Sequence, residues 1–176
     1  MNKHLVRWAG FTLIEMVVII GVLTLLTSFL ILYGRTGERQ IILLRDKAKV
    51  INIILRAKSL AISTLVEDEP ACGYGVYIES SRYLVFKDKS LDCASSDRIY
   101  SGEASGEKLV EETFDLDPAL RFSEIGAANI LFVPPDPKVF LDGGQTLNEA
   151  KISIVTVDNR LKADIIINNA GQVSSQ

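Results

Sequence analysis

The stretch AGFTLIEMVVIIGVLTLLTSFLILY, residues 9–33, contains a long apolar run that determines the organisation of the chain. The run from Phe11 to Leu32 comprises 22 residues, and as an α-helix it would extend roughly 33 Å. That length is sufficient to cross the hydrocarbon core of a bilayer. We therefore predict a transmembrane helix over residues 11–33.

The residues on either side of this run distinguish it from an ordinary secretory signal. A basic segment, MNKHLVRWAG at residues 1–10, precedes it, but Arg35, Gly37 and Glu38 follow it and provide no small-residue cleavage pattern. We expect the run to remain in the mature protein. Basic residues flank both sides, so the distribution of positive charge leaves the orientation in the membrane open.

Glu15 is the residue that a simple membrane anchor does not explain. A carboxylate in a membrane helix costs about 2.5–3.5 kcal/mol on insertion scales for the comparable Asp at the helix centre. One interpretation is that Glu15 lies near enough to the interface for its side chain to reach water. The other is that it has a positive partner inside the membrane, such as a free amine at Phe11 if the chain began there.

The segment AGFTLIEMVVIIGVL resembles the processing and methylation signature of type IV prepilins and type II secretion pseudopilins. The matching residues are Gly10 before the cut, Phe11 as the new N-terminus, and Glu15 as the fifth residue of the mature chain. The resemblance implies that prepilin peptidase removes residues 1–10 on the cytoplasmic face and that the Phe11 amine is methylated. It also implies an N-terminus in the cytoplasm and a C-terminal domain outside the cytoplasmic (inner) membrane.

The same resemblance implies a structural role and a set of partners. Glu15 would neutralise the Phe11 amine of a neighbouring subunit during assembly of a pilus or a secretion pseudopilus. The partners would be other pilin or pseudopilin subunits, the prepilin peptidase and an inner-membrane assembly platform. The segments RAKSLAIST at 56–64, GYGVYI at 73–78 and ADIIINNAGQV at 163–173 resemble minor pseudopilins of the H type and FimT-type minor pilins.

The helical pattern continues beyond the membrane segment. Apolar residues recur mostly at spacings of three and four residues, and basic residues occupy much of the remainder. This pattern predicts an amphipathic continuation of the helix over residues 34–65, with a buried face formed by Ile41, Leu44, Ala48, Ile51, Leu55 and Ile62.

Residues 66–176 have the pattern of a β-rich domain. Eight short runs have strand chemistry, separated by clusters of Gly, Asp, Asn and Pro; they are 73–78, 82–87, 108–116, 119–122, 129–133, 138–141, 151–157 and 162–168. Asp158-Asn159 predicts a hairpin turn between the last two runs. The predicted fold is α+β: a long N-terminal helix packed on an antiparallel sheet or small sandwich, as in pilins.

The two cysteines, Cys72 and Cys93, both lie in this domain. A disulfide between them would close a loop of about twenty residues and contribute roughly 3 kcal/mol in the chain-entropy model. The alternative is a pair of buried thiols in a reducing compartment. The external location implied above favours the disulfide.

The composition argues against catalysis and nucleic-acid binding. The only histidine is His4, in the predicted leader, so the mature chain has no imidazole base or ligand, and we predict no enzyme, cofactor, metal or small-molecule substrate. Asp136 and Asp142 match no calcium loop. Residues 67–176 carry ten Lys/Arg against nineteen Asp/Glu, a balance of −9 that disfavours nucleic acid.

Two other functions stay open at this point. The domain could be a binding module at a pilus tip, for DNA uptake or adhesion, with Tyr74, Tyr77, Tyr83 and Phe86 as an aromatic patch. FimT-type proteins that bind DNA carry arginines after the C-terminal glycine, whereas Gly171 here is followed by uncharged residues. The chain could also be a single-pass anchored protein that never enters a filament.

Overall fold

The computed structural model describes residues 11–63, 71–102, 108–134 and 138–175. Within these ranges the chain is α+β, with an N-terminal apolar helix followed by antiparallel sheets, which confirms the predicted fold class at that level. The chain divides into two units between Glu38 and Arg39. The predicted leader, residues 1–10, lies outside the described residues.

Helix α1 runs from Leu13 to Ser63 and comprises 51 residues. No proline occurs between residues 11 and 69, so no residue in this stretch lacks the backbone N–H that the helix requires. Helix α1 accounts for most of the two predicted segments, 11–33 and 34–65. The last two residues of the second segment lie outside the described ranges.

Nine strands follow in the described part of the chain, and all pair antiparallel. They are β1 (Gly73–Ile78), β2 (Arg82–Asp88), β3 (Lys108–Asp115), β4 (Leu120–Ile125), β5 (Asn129–Val133), β6 (Lys138–Leu141), β7 (Glu149–Thr156), β8 (Lys162–Asn168) and β9 (Val173–Ser175). The first eight coincide with the predicted runs to within a few residues. Strand β9 was not predicted.

The strands form two sheets. One has the order β3-β2-β1-β5-β6 and the other has the order β4-β7-β8-β9. Strands β7 and β8 form a hairpin in which Val155 pairs with Lys162, which confirms the predicted turn at Asp158-Asn159. The sequence left one sheet or two open, and the structure has two.

One hydrophobic core joins α1 to both sheets. Val50 and Ile54 of the helix are fully buried, together with Ile130 and Phe132 of the first sheet and Ile152 of the second. The second half of α1 therefore contributes to the core of the unit that begins at Arg39.

The predicted buried face of this half of α1 is wrong. Ile41, Leu44, Leu55 and Ile62 are 68%, 48%, 44% and 47% exposed. The buried helix residues are instead Leu43, Asp46, Val50, Ile54, Ala57 and Ala61. The helix has two apolar stripes with similar spacing, and the sheets cover the one with small alanines, which allow strands to approach the helix closely.

A buried carboxylate lies on the covered stripe. Asp46 is 1% exposed, and it accepts hydrogen bonds from the Asp117 backbone N–H at 2.8 Å and from the Lys49 ammonium at 2.9 Å. Burial alone would raise the pKa of Asp46, but these donors, with Arg45, outweigh it and hold the pKa below its usual value. Asp46 thereby fixes the β3–β4 connection on the helix.

A disulfide joins Cys72 and Cys93, whose Cα atoms are 5.0 Å apart. The bond tethers the segment after β2, and this segment covers the face of the first sheet opposite to α1. There the Tyr100 ring lies 5.4 Å from the Phe86 ring, and the Arg98 guanidinium lies 4.1 Å from the Phe140 ring centre. The disulfide therefore secures a second, smaller apolar cluster.

An ion pair is buried beside this segment. Lys108 Nζ lies 2.8 Å from Asp88 Oδ2, and the two side chains are 1% and 0% exposed. The Ser90 and Ser96 hydroxyls also donate to Asp88. Burial raises the pKa of Asp88, but the bonds from Lys108 and the two serines outweigh it, so the pKa is lower than usual.

Two neighbouring helix positions test the orientation of α1. Ile54→Ala should lower the free energy of unfolding by about 2–5 kcal/mol, because it leaves a cavity in the core. Leu55→Ala, a truncation of similar size on the exposed side, should cost less than about 1 kcal/mol. Urea unfolding of both variants measures the difference, and equal losses would contradict the orientation.

The buried ion pair makes a second prediction. Asp88→Asn should lower the free energy of unfolding by about 3–5 kcal/mol, since it removes the buried counter-charge of Lys108 and leaves only the exposed Asp97 carboxylate, 3.2 Å from Nζ. Adding Lys108→Met to that variant should recover much of the loss. A double variant no more stable than Asp88→Asn would contradict this account.

The same pair sets a pH dependence. The pKa of Asp88 is lower in the folded state than its usual value of 3.8, so its contribution is present above that pH and is lost as the pH falls further. Stability of the wild type should therefore decline below about pH 4, and less steeply in the double variant. Unfolding curves across that range measure both slopes.

Candidate functional site

The start of α1 contains the residues that the sequence selected as functional. Gly10, on the leader side of the predicted cut, lies outside the described residues. Phe11 is described and is 72% exposed. The predictions of cleavage between these two residues and of methylation at Phe11 stay predictions.

Thr12 and Glu15 form a capping box at the helix start. The Thr12 backbone N–H donates to Glu15 Oε2 at 3.3 Å, and the Glu15 backbone N–H donates to the Thr12 hydroxyl at 3.3 Å. This arrangement satisfies two N–H groups that the first turn of a helix otherwise leaves without partners. The sequence TLIE at 12–15 has the Thr-x-x-Glu pattern of such a box, a signal that the sequence reasoning missed.

The capping box gives Glu15 a partner within its own chain. A carboxylate near a helix N-terminus is also favoured by the helix dipole. These interactions lower the cost of placing Glu15 at this position, but they leave its charge uncompensated. The surrounding side chains of Ile14, Val18 and Ile19 are exposed and apolar.

The residues after Glu15 form a helix that is long and apolar enough to cross a membrane. The segment Leu13–Ile31 has 19 residues with a hydropathy of 2.5, and none of it is buried within the protein. Its hydroxyls bond to helix carbonyls: Thr24 to Ile20, Thr27 to Leu23 and Ser28 to Thr24, at 3.0, 2.7 and 2.8 Å. In hydrocarbon surroundings, polar groups must form their hydrogen bonds within the protein, as these hydroxyls do.

A second uncovered apolar surface lies on the later part of α1. It consists of Ile41, Leu44, Ala48, Ile51, Leu55 and Ile62, and we call it the outer stripe; Ile51 is partly buried and the other members are exposed. Alternating spacings of three and four residues from Ile41 to Leu55 are the a/d pattern of helices that pack side by side. The residues that the sequence assigned to the core thus form a surface suited to another helix.

The aromatic patch considered for a tip-binding module is not a surface. Tyr74, Tyr83 and Phe86 are 4%, 2% and 0% exposed, and Tyr77 is only partly exposed. Burial raises the pKa of Tyr83 to about 12, because ionisation would place a charge in the core next to Asp46. The three buried rings stabilise the domain and are not available for binding a ligand.

The part of the chain that the structure describes contains no candidate metal site. No group of three or more His, Cys, Asp or Glu side chains in the described ranges could hold a metal ion. Asp142 accepts a hydrogen bond from the Asn129 backbone N–H at 2.8 Å, and Asp136 lies outside those ranges.

Comparison with known proteins adds no family. No protein-family model, curated protein or solved structure matches this chain. The functional interpretation therefore depends on the residues and their geometry.

Proposed function

We propose that the chain is a minor pilin or pseudopilin, a structural subunit of a type IV pilus-like filament or a type II secretion pseudopilus. In this proposal it is made as a precursor, cut by prepilin peptidase between Gly10 and Phe11, and methylated at Phe11. It is stored as a single-pass protein of the cytoplasmic membrane, with its C-terminal domain outside. It then enters a filament through an inner-membrane assembly platform.

The observation that carries the proposal is Glu15 at the start of an uncovered apolar helix. All side chains from Phe11 to Ile31 are exposed in the isolated chain, so lipid or other helices must cover them. The Glu15 carboxylate already reaches the Thr12 N–H, one residue from the Phe11 nitrogen. Cleavage would make that nitrogen a charged amine, which a neighbouring subunit's Glu15 could neutralise in the apolar interior of a filament.

The outer stripe supports the same proposal from the second unit. An isolated domain gains nothing from leaving Ile41, Leu44 and Leu55 exposed in one row, whereas a bundle of helices would bury them. Each large aliphatic side chain that becomes fully buried contributes about 1.5–3 kcal/mol. Side-by-side packing of α1 helices would therefore use both uncovered regions of the helix.

Glu15 provides the test of assembly. The full chain, produced in its native host, would carry a photo-crosslinking residue at Leu44 on the outer stripe. Crosslinks to other filament subunits are expected there, and a matched probe at Arg56, which is half-exposed on the side of α1 that faces Glu112 of β3, should give few. Glu15→Val should remain in the membrane fraction but lose the Leu44 crosslinks.

Two outcomes would contradict the proposal. Glu15→Val that crosslinks as well as the wild type would show that the carboxylate has no role in assembly. Equal crosslinking from Leu44 and Arg56 would show that the outer stripe is not a packing surface. Recovery of Glu15→Val in the membrane fraction is the control for anchoring.

A further inference from the structure

The turn between β7 and β8 carries a cluster of arginines on a domain that is otherwise acidic. The turn comprises Val157, Asp158, Asn159 and Arg160, and two further residues contact it, Arg39 and Arg121; we call this group the arginine tip. It has three arginines and one aspartate, a balance of +2. The unit to which all of these residues belong, Arg39–Gln176, has 16 Lys/Arg against 20 Asp/Glu, a balance of −4.

The tip is held in place by local bonds. Asp158 accepts a hydrogen bond from the Thr156 hydroxyl at 2.6 Å and pairs with Arg39, the first residue of this unit. Arg121 donates to the Asn159 side chain at 2.9 Å. Asn159 has a φ of 56°, a left-handed conformation that asparagine tolerates better than most residues.

The charged and apolar groups of the tip face solvent. The Arg160 side chain is 82% exposed, and its Nε lies 3.7 Å from Asp158 Oδ2, beyond hydrogen-bond distance. Val157 beside it is 60% exposed. Exposed arginines next to an exposed aliphatic side chain fit an interface with phosphate groups above an apolar layer.

The length of the chain limits how far the tip can be from the membrane. Only eight residue steps separate Ile31, the end of the apolar span, from Arg39. They span about 12 Å as a helix and at most about 29 Å when fully extended. Because Arg39 contacts Asp158 directly, the tip of an anchored chain adjoins a residue at most about 29 Å from the end of the apolar span, a distance that permits contact with lipid headgroups. Glu38 adds one negative charge beside Arg39, which leaves the local balance positive.

We propose that the arginine tip binds the phosphates of anionic lipids at the surface of the membrane that α1 crosses. Arginine binds phosphate through paired N–H groups, and each basic residue near an anionic surface contributes about 1 kcal/mol. The contact gives the domain a second attachment, and the remainder of residues 39–176 has a balance of −6, which disfavours contact of other surfaces with the same lipids. This proposal rests on the membrane anchoring proposed above.

Tryptophan quenching in nanodiscs tests the contact with the full chain. Trp8→Phe removes the only native tryptophan, and Val157→Trp places a probe on the tip. Nanodiscs of brominated phosphatidylcholine, with or without phosphatidylglycerol, report the proximity of that probe to lipid. Quenching should be stronger with phosphatidylglycerol and should weaken as salt is raised.

Matched variants identify the arginines as the cause. Arg121→Gln and Arg160→Gln should each lower the ratio of lipid-bound to unbound tip roughly fivefold. A loss of about 1 kcal/mol of binding free energy corresponds to that change. The control probe is Leu91→Trp, at a fully exposed residue of the segment after β2. Strand β2 ends at Asp88, where it pairs with Lys108 at the start of β3. Strand β3 then runs to Asp115, close to the Asp117 N–H that contacts Asp46. Leu91 follows Asp88 and therefore lies at the opposite end of the sheet from the Asp46 contact. It should be little quenched in either lipid.

Five outcomes would overturn the contact. Equal quenching at residue 157 in both lipids, or no effect of the arginine substitutions, would show that anionic lipid is not bound. If inorganic phosphate added to nanodiscs of phosphatidylcholine alone changes the signal at residue 157 as much as phosphatidylglycerol does, the arginines bind free phosphate and not the lipid. A third probe, Leu23→Trp, reports the anchor: quenching there without quenching at residue 157 overturns the tip contact alone, and none at either overturns both proposals.

Discussion

The uncovered apolar side chains between Leu13 and Ile31 constrain the rest of the molecule, because water is a poor environment for so long an apolar surface. Within this segment the hydroxyls of Thr24, Thr27 and Ser28 donate to the helix backbone. Apart from Glu15, the segment therefore needs only an apolar surrounding, which both lipid and other helices provide. The passage from membrane to filament proposed above requires a helix that both surroundings can accommodate.

The later part of α1 has three different surfaces. One packs into the core through Val50 and Ile54. Another places Arg45 beside Asp117 of the β3–β4 connection at 3.2 Å and Arg56 beside Glu112 of β3 at 2.5 Å. The outer stripe is exposed in the isolated chain except at Ile51, which is partly buried against the core. The helix thus fixes the domain with two surfaces and leaves the third largely uncovered.

The strands could be predicted from the sequence because their signal is local. Alternating apolar residues between Gly, Asn, Asp and Pro clusters located eight strands, whereas β9 is three residues long and has too few positions to alternate. The helix face could not be predicted in the same way. Two apolar stripes with similar spacing cannot be distinguished from the sequence alone. The stripe that is buried contains a charged residue, Asp46, and therefore looks less apolar in the sequence.

Part of the candidate site could be predicted because its residues are close together in the sequence. Gly10, Phe11 and Glu15 are recognised by their spacing along the chain, and the capping box at Thr12 was also readable there. The arginine tip was not, since Arg39, Arg121 and Arg160 are distant in sequence and meet only in the folded domain. The prediction of the disulfide between Cys72 and Cys93 depended on an external location of the domain, which was itself inferred.

Mass spectrometry of the chain purified from membranes of its native host tests the central claim most directly. The account predicts a mature protein that lacks residues 1–10 and begins with a methylated Phe11. An intact N-terminus at Met1 in the mature protein would contradict it.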